Sequence, residues 1–176
     1  MKPIFIIGYM GCGKTTFGKA LSATTGIRFI DLDFYIEQRY HASVSEIFDK
    51  YGEKGFREIE KEMLHEVAEF EDVIISCGGG TPCFFDNMEH MNNHGTTLWL
   101  QATRECLFSR LIRKREKRPL LAGHTDDEIR EIIDSQLRLR EPFYSAAKVI
   151  WKGDSLEDRR QINENVSQFL ATHPIL

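Results

Sequence analysis

The chain has 176 residues, of which 41% are hydrophobic and 28% charged, and carries a formal net charge of −4 at pH 7. That length can close a single hydrophobic core without disulfides or metals, and the balance excludes disordered, collagenous and membrane-spanning classes. An acidic chain is also poorly suited to gripping long nucleic acid by counterion release, so no nucleic-acid partner is expected.

In chain order, short apolar runs alternate with longer stretches of helical spacing, which predicts a parallel sheet covered by helices. Strands are expected at 3–7, 28–30, 73–76, 96–100 and 148–151. Helical patterns cover about 14–24, 34–39, 44–70, 83–92, 104–113, 126–146 and 156–171. The 44–70 stretch is expected to hold more than one helix, because Gly52 and Gly55 interrupt it. The first apolar run stops at Gly8, too short for a signal-peptide core or a membrane span. Cys12, Cys77, Cys83 and Cys106 form no CxxC pair, so a cytoplasmic protein with free thiols is the expectation. No repeat or linker-like tract divides the chain, and one domain over 1–176 is expected.

Gly8-Tyr9-Met10-Gly11-Cys12-Gly13-Lys14-Thr15 matches G-x-x-x-x-G-K-[ST] between a predicted strand and a predicted helix. Glycines let successive backbone N–H groups curl around phosphate oxygens, and the helix N-terminus adds partial positive charge behind them. Gly11, Cys12, Gly13, Lys14, Thr15 and Thr16 are therefore expected to bind ATP, with Lys14 on the β- and γ-phosphates and the Thr15 hydroxyl on Mg²⁺. Of the apolar strands, only 28–30 runs directly into a carboxylate, giving Asp31-Leu32-Asp33. Strand alternation is expected to turn both carboxylates to one side, one toward the hydrated metal and one toward an acceptor hydroxyl. The plainer role of an Asp at this place is to cap the next helix. The absence of Asn-Lys-x-Asp argues against guanine recognition of the switch-GTPase kind.

An acceptor site is read from scattered residues. Arg57 and Arg140 offer two planar guanidiniums that can hold a carboxylate bidentately, although either can also be an ordinary ion-paired surface side chain. Gly78-Gly79-Gly80 follows a predicted strand and lets a ligand approach the backbone. Six cations occupy the nine positions 110–118, just before Pro119. Arg118 is expected to close over the nucleotide and supply a cation to the transferring phosphoryl group, and Arg110 to stack on adenine. His90 and His94 have i,i+4 spacing without a third ligand or an HExxH context and are read as surface histidines; His65 is unplaced. No cysteine has a neighbouring base that would make it a nucleophile.

These residues together resemble the shikimate kinase family. The resemblance rests on the loop at 8–15, Asp31-x-Asp33, Phe56-Arg57-x-x-Glu60, Gly78-Gly79-Gly80, Arg118-Pro119-Leu120-Leu121 and Arg140-x-Pro142-x-Tyr144, in family order from 8 to 144. It implies a P-loop NTPase three-layer α/β sandwich of the nucleoside-monophosphate-kinase type, with a five-stranded parallel sheet, an acceptor-binding insertion at about 32–61 and a lid at about 112–124. It implies transfer of the ATP γ-phosphate to the 3-hydroxyl of shikimate by a monomer of the chorismate and aromatic amino-acid route, with Mg²⁺ held by Thr15 and Asp31. By the same resemblance Asp33 meets the substrate hydroxyls, Arg57 and Arg140 its carboxylate, and Gly79 and Gly80 its ring. Gly78 completes that substrate-binding loop. Lys14, Asp33 and Arg118 are the implied catalytic residues, and Ser155, after the last strand, lines the adenine pocket. Competing readings are another kinase of this architecture, acting on gluconate or AMP, and an RNA-binding module using the basic run.

Overall fold

The computed structural model describes residues 1–113, 115 and 121–174. Five strands, β1 (Ile4–Ile7), β2 (Arg28–Asp31), β3 (Val73–Ser76), β4 (Thr96–Gln101) and β5 (Val149–Lys152), form one parallel sheet in the order β2-β3-β1-β4-β5. Every residue of β1 and β3 is buried, as continuous apolar runs require when helices cover both faces of a parallel sheet. The five strands and their parallel order bear out the α/β class expected from the sequence.

Among the described residues seven α-helices surround the sheet: α1 (Lys14–Thr25), α2 (Leu32–Tyr40), α3 (Val44–Ala68), α4 (Asn87–His94), α5 (Arg104–Ile112), α6 (Asp126–Tyr144) and α7 (Arg159–Thr172). Their starts follow local capping chemistry. Ser43 and Thr125 each form a reciprocal capping box with the glutamate three residues on, Glu46 and Glu128. Asp158 accepts from the Gln161 N–H, which starts α7 at Arg159 rather than at 156. α3 is broken at Gly52, whose φ of 68° and ψ of 177° are non-helical, as its glycines suggest. α1 packs against α7, where Phe17 and Phe169 meet edge to face at 5.4 Å and are both fully buried. Each such ring contributes about 2–3 kcal/mol by leaving water.

Three expectations change. Residues 83–92 do not form one helix: Thr81–Cys83 is a single 3-10 turn containing Pro82, Phe84 is extended, and α4 begins only at Asn87. Asp33 does not lie at a strand end. β2 stops at Asp31, which caps α2, so Asp33 sits in the first helical turn. The histidines are not simply surface groups. His90 and His94 stack on each other at 3.9 Å, and His90 stacks on His65 of α3 at 3.6 Å and 3°, making a three-ring column between α3 and α4. Parallel rings keep their ring planes apart, so they cannot share one metal ion. Among the described residues no cluster of His, Cys, Asp and Glu is arranged to hold a metal, and no helix is long and apolar enough to cross a membrane. Arg118, with Pro119 and Leu120, lies outside the described residues.

Candidate active site

Adjacent parallel strands β1 and β3 send their crossovers in opposite directions, β1 toward β2 and β3 toward β4, which opens a crevice beyond their C-terminal ends. The loop after β1 and the triple glycine after β3 emerge there side by side. A Cβ on Gly79 would lie 3.4 Å from the Met10 backbone N and 3.5 Å from the Gly8 carbonyl oxygen, so the two loops touch through main chain. Between them and α7 lies a cleft of 740 Å³ whose lining includes Lys14, Thr15, Asp31, Asp33 and Gly79.

The phosphate end is made of backbone. Gly8, Gly11 and Gly13 all have positive φ, at 142°, 82° and 103°, and a Cβ on Gly13 would sit 2.7 Å from Leu156 Cδ1. Only glycine takes this path without strain. Gly13 is the N-cap of α1 with no side-chain cap, so the first amides of the helix face the cleft without a partner of that kind. The Lys14 ammonium crosses the loop, donating to the Gly8 and Tyr9 carbonyls at 2.8 and 3.0 Å.

Asp31 makes two contacts, one of them the helix-capping contact that the sequence allows. Its Oδ1 accepts from the Phe34 N–H as a helix cap, and its Oδ2 accepts from the Thr15 hydroxyl at 2.9 Å. One hydroxyl and one carboxylate, both hard oxygen donors, suit Mg²⁺, which keeps several waters and takes its remaining ligands from phosphates. Excess negative charge at this spot adds to the fit. Burial, with the nearby carboxylates of Asp31 and Glu60, pushes the Asp33 carboxyl up to about 6, against weaker opposing pull from Lys14 and Arg57.

The acceptor end is made of side chains from three elements, each meeting one glycine. A Cβ on Gly78 would lie 3.1 Å from Asp33 Oδ1 of α2; on Gly79, 3.1 Å from an Arg140 terminal nitrogen of α6; on Gly80, 2.7 Å from an Arg57 terminal nitrogen of α3. The three glycines therefore exist to let these groups approach the loop. Tyr144, one turn beyond Arg140, fixes the loop by donating to the Gly79 carbonyl at 2.5 Å. Arg57 is only 13% exposed; it donates to Glu60 at 2.8 Å, and its buried Nε has no hydrogen-bond partner among the described residues. A buried donor left in that state is costly, so it suits an anionic ligand. Glu60, at 1% exposure, is a site residue that the sequence reading left without a role, although its i,i+3 spacing from Arg57 signals the pair.

Arg110 lines the cleft, but all its edges are used. It donates to the Gly11, Cys12, Gly153 and Asp154 carbonyls at 2.8–3.3 Å and to Glu157 at 2.5 Å. It ties the phosphate loop to the loop after β5, and only the face of its guanidinium is available for the expected stacking on a base. Ser155 lines a separate cavity along β5 and α7, whereas Leu156, Glu157 and Ile162 line the phosphate cleft. Nothing in the sequence pattern marks these three, because they reach the cleft through packing of the β5–α7 loop.

A glycine-cradled phosphate site at the switch point of a parallel sheet, faced by a carboxylate and two arginines, defines a P-loop phosphotransferase for a small anionic acceptor. The family model described as shikimate kinase matches residues 10–171. A shikimate kinase of Phocaeicola vulgatus is 55% identical over 166 residues, covering 94% of this chain and 95% of that protein. The crystal structure of shikimate kinase from Bacteroides thetaiotaomicron is similar at a TM-score of 0.95 with 50% identity over 99% of both chains. That of shikimate kinase from Acinetobacter baumannii in complex with shikimate is similar at 0.84 with 27% identity, over 100% of this chain and 96% of that one. The chain belongs to the shikimate kinase family.

Proposed function

We propose that this cleft transfers the γ-phosphoryl group of ATP to the 3-hydroxyl of shikimate, giving shikimate 3-phosphate and ADP. The observation that carries the reading is the convergence of Asp33, Arg140 and Arg57 on Gly78, Gly79 and Gly80, beside the phosphate loop. In-line phosphoryl transfer passes through a loose transition state, so its catalysis is positioning and charge neutralisation. The loop amides and Lys14 hold the phosphates, and the Lys14 ammonium exchanges loop carbonyls for phosphate oxygens. Thr15 and Asp31 would hold Mg²⁺, which would supply positive charge against the phosphates. Arg57 and Arg140 grip the acceptor carboxylate and so turn its ring toward Asp33. With its carboxyl at about 6, Asp33 is ionised at neutral pH and more basic than an ordinary Asp, so it can accept the hydroxyl proton as the new P–O bond forms. Arg118 adds a cation to the transferring group, by family resemblance.

All these groups belong to one chain, which suits a monomer, and the four unpaired cysteines suit a reducing compartment such as the cytoplasm. The test is ADP release with ATP and Mg²⁺ against shikimate, gluconate and AMP. Turnover is expected with shikimate alone. Arg140→Ala is expected to raise the shikimate KM by about 30-fold or more, since it leaves a buried carboxylate short of its partner. Equal turnover on gluconate or AMP refutes the assignment.

A further inference from the structure

Arg57 is fixed by more than its two glutamates, Glu60 at 2.8 Å from Nη1 and the exposed Glu53 at 3.7 Å from Nη2. Its Cζ lies 4.1 Å from the centroid of the Phe84 ring, 5.3 Å from Phe56 and 6.0 Å from Phe48, all within the range in which a cation is drawn to an aromatic face. Phe48 and Phe56 are themselves stacked at 4.3 Å, so they form one wall. Phe84 is the closest ring, and it comes from another element, the segment that follows the triple glycine.

The backbone of that segment is bent to deliver it. Phe84 is extended, at φ −116° and ψ 146°, and Phe85 follows in the left-handed region at φ 50°. A bulky aromatic residue there is strained, and such strain persists only where the surroundings impose it. The bend parts two consecutive rings. Phe84 goes to Arg57, while Phe85 is 56% exposed with Lys61 Nζ 5.3 Å from its centroid. Both ends of the segment are anchored: the Thr81 hydroxyl donates to Glu60 at 2.6 Å, and Asn87 Nδ2 donates to the Thr81 carbonyl at 2.9 Å. One short stretch therefore holds Arg57 twice, through Glu60 on its edge and through Phe84 on its face.

We propose that Phe84 is a positioning residue for the acceptor: its ring, 4.1 Å from the Arg57 Cζ, holds the guanidinium in place and so presents Nε, unpartnered among the described residues, to the acceptor carboxylate. This rests on the reading of Arg57 as a contact of that carboxylate. A stacked guanidinium still bonds through its edge, whereas an unstacked arginine spreads over many rotamers before a ligand arrives. The effect is expected in acceptor binding, because the Phe84 ring lies against Arg57.

The experiment compares Phe84→Leu, Phe84→Tyr and Phe85→Asn with the parent protein in steady-state ADP release, varying shikimate and ATP separately. Phe84 is half-buried, so leucine fits, and thermal melts check each fold. Phe84→Leu is expected to raise the shikimate KM about three- to ten-fold while kcat and the ATP KM stay within about twofold. Phe84→Tyr keeps the aromatic face and is expected to restore the parental KM. Phe85→Asn, which suits the left-handed backbone, is expected to leave the KM unchanged. A parental shikimate KM in Phe84→Leu, or an equal loss in Phe84→Tyr and Phe84→Leu, overturns the inference while the proposed function stands. A parent protein that releases no ADP with shikimate overturns the proposed function and this inference with it.

Discussion

The two ends of the cleft solve recognition in opposite ways. At the phosphate end the contacts are main-chain groups of one contiguous loop whose path is set by three glycines with positive φ. At the acceptor end they are side chains from α2, α3 and α6, and the glycines of 78–80 serve by leaving room rather than by adopting a special conformation. A phosphate needs only many donors and a concave surface, which backbone supplies. Selecting one hydroxy-acid needs charge at defined distances, which only side chains on separate elements can give. Apart from Lys14, Thr15 and Asp31, the phosphate end therefore depends on backbone path, whereas the acceptor end depends on side chains.

Asp33 gives the largest break between the two ends. Asp33→Asn is expected to lower kcat by about 10²- to 10⁴-fold by removing proton acceptance, while nucleotide affinity, measured by titration, is retained. In the parent protein kcat/KM for shikimate is expected to fall as pH drops below about 6, where the carboxyl is protonated; the variant is expected to lose that inflection. Stability moves the other way. An acid whose pKa is raised on folding binds its proton more tightly in the folded chain, so the folded state gains stability as pH falls from about 6 toward the ordinary 3.8 and carries a penalty above 6. Asn removes the charge, so the variant should be more stable at neutral pH, by up to about 3 kcal/mol in a denaturant titration. An Asn variant that is neither slower nor more stable breaks the assignment of a buried, proton-accepting carboxylate.

Two glycine substitutions sharpen the contrast with smaller effects. Gly13→Ala forces an L-residue to φ 103° and sets its Cβ 2.7 Å from Leu156, so the phosphate loop must deform. The ATP KM is expected to rise by about 5- to 100-fold with a parallel loss of kcat, from strain of that kind. Gly80 has φ −88°, which alanine adopts freely, and the atoms nearest its added Cβ belong to the Arg57 guanidinium, the first at 2.7 Å. Gly80→Ala should fold normally and raise the shikimate KM by about two- to ten-fold as Arg57 leaves its rotamer, with the ATP KM unchanged. The same ATP defect in both variants would mean that the two ends are one mechanical unit.

The sequence reveals these ends unequally for the same physical reason. A loop that works through consecutive amides leaves a contiguous signature, and Gly8 to Thr15 is readable without any structure. The triple glycine and the arginines are visible as residues, but their pairing, Arg140 with Gly79 and Arg57 with Gly80, comes from tertiary packing. Strand alternation, which would turn Asp31 and Asp33 to one side, does not apply, because Asp31 caps a helix that starts at once. Helical spacing over 83–92 hides the turn before it: the 3-10 turn at Thr81–Cys83 and left-handed Phe85 accompany contacts to Glu60 and Arg57, more than twenty residues earlier. Arg110 was legible as a cleft residue, but its carbonyl partners lie 43–99 residues away, beyond any local pattern.

The smallest expected effect lies away from both ends, in the histidine column. His65 and His90 bury Nε2 atoms without hydrogen-bond partners among the described residues, His94 Nδ1 lies 2.8 Å from the His90 carbonyl oxygen, and its Nε2 faces Glu69 at 3.6 Å. Burial, then the mutual repulsion of the rings, pulls the His90 imidazole down to about 4; Asp86 and Glu69 oppose this weakly, while Lys61 acts with burial to lower His65. A histidine with a lowered pKa binds its proton less tightly when folded, so stability present above about 6.5 is lost as pH falls toward 4. Asp33 works against this trend over the same range, which is why single variants are needed to see either. His90→Gln keeps the helix and removes the titrating ring, so its melting temperature should fall less between pH 7 and pH 5 than the parent's, by about 2–4 °C given solvent screening of half-exposed rings. Shikimate turnover at pH 7 should be unchanged, since the column touches neither end of the cleft; a changed KM there would show that α4 transmits its packing to the 81–87 segment and hence to Arg57.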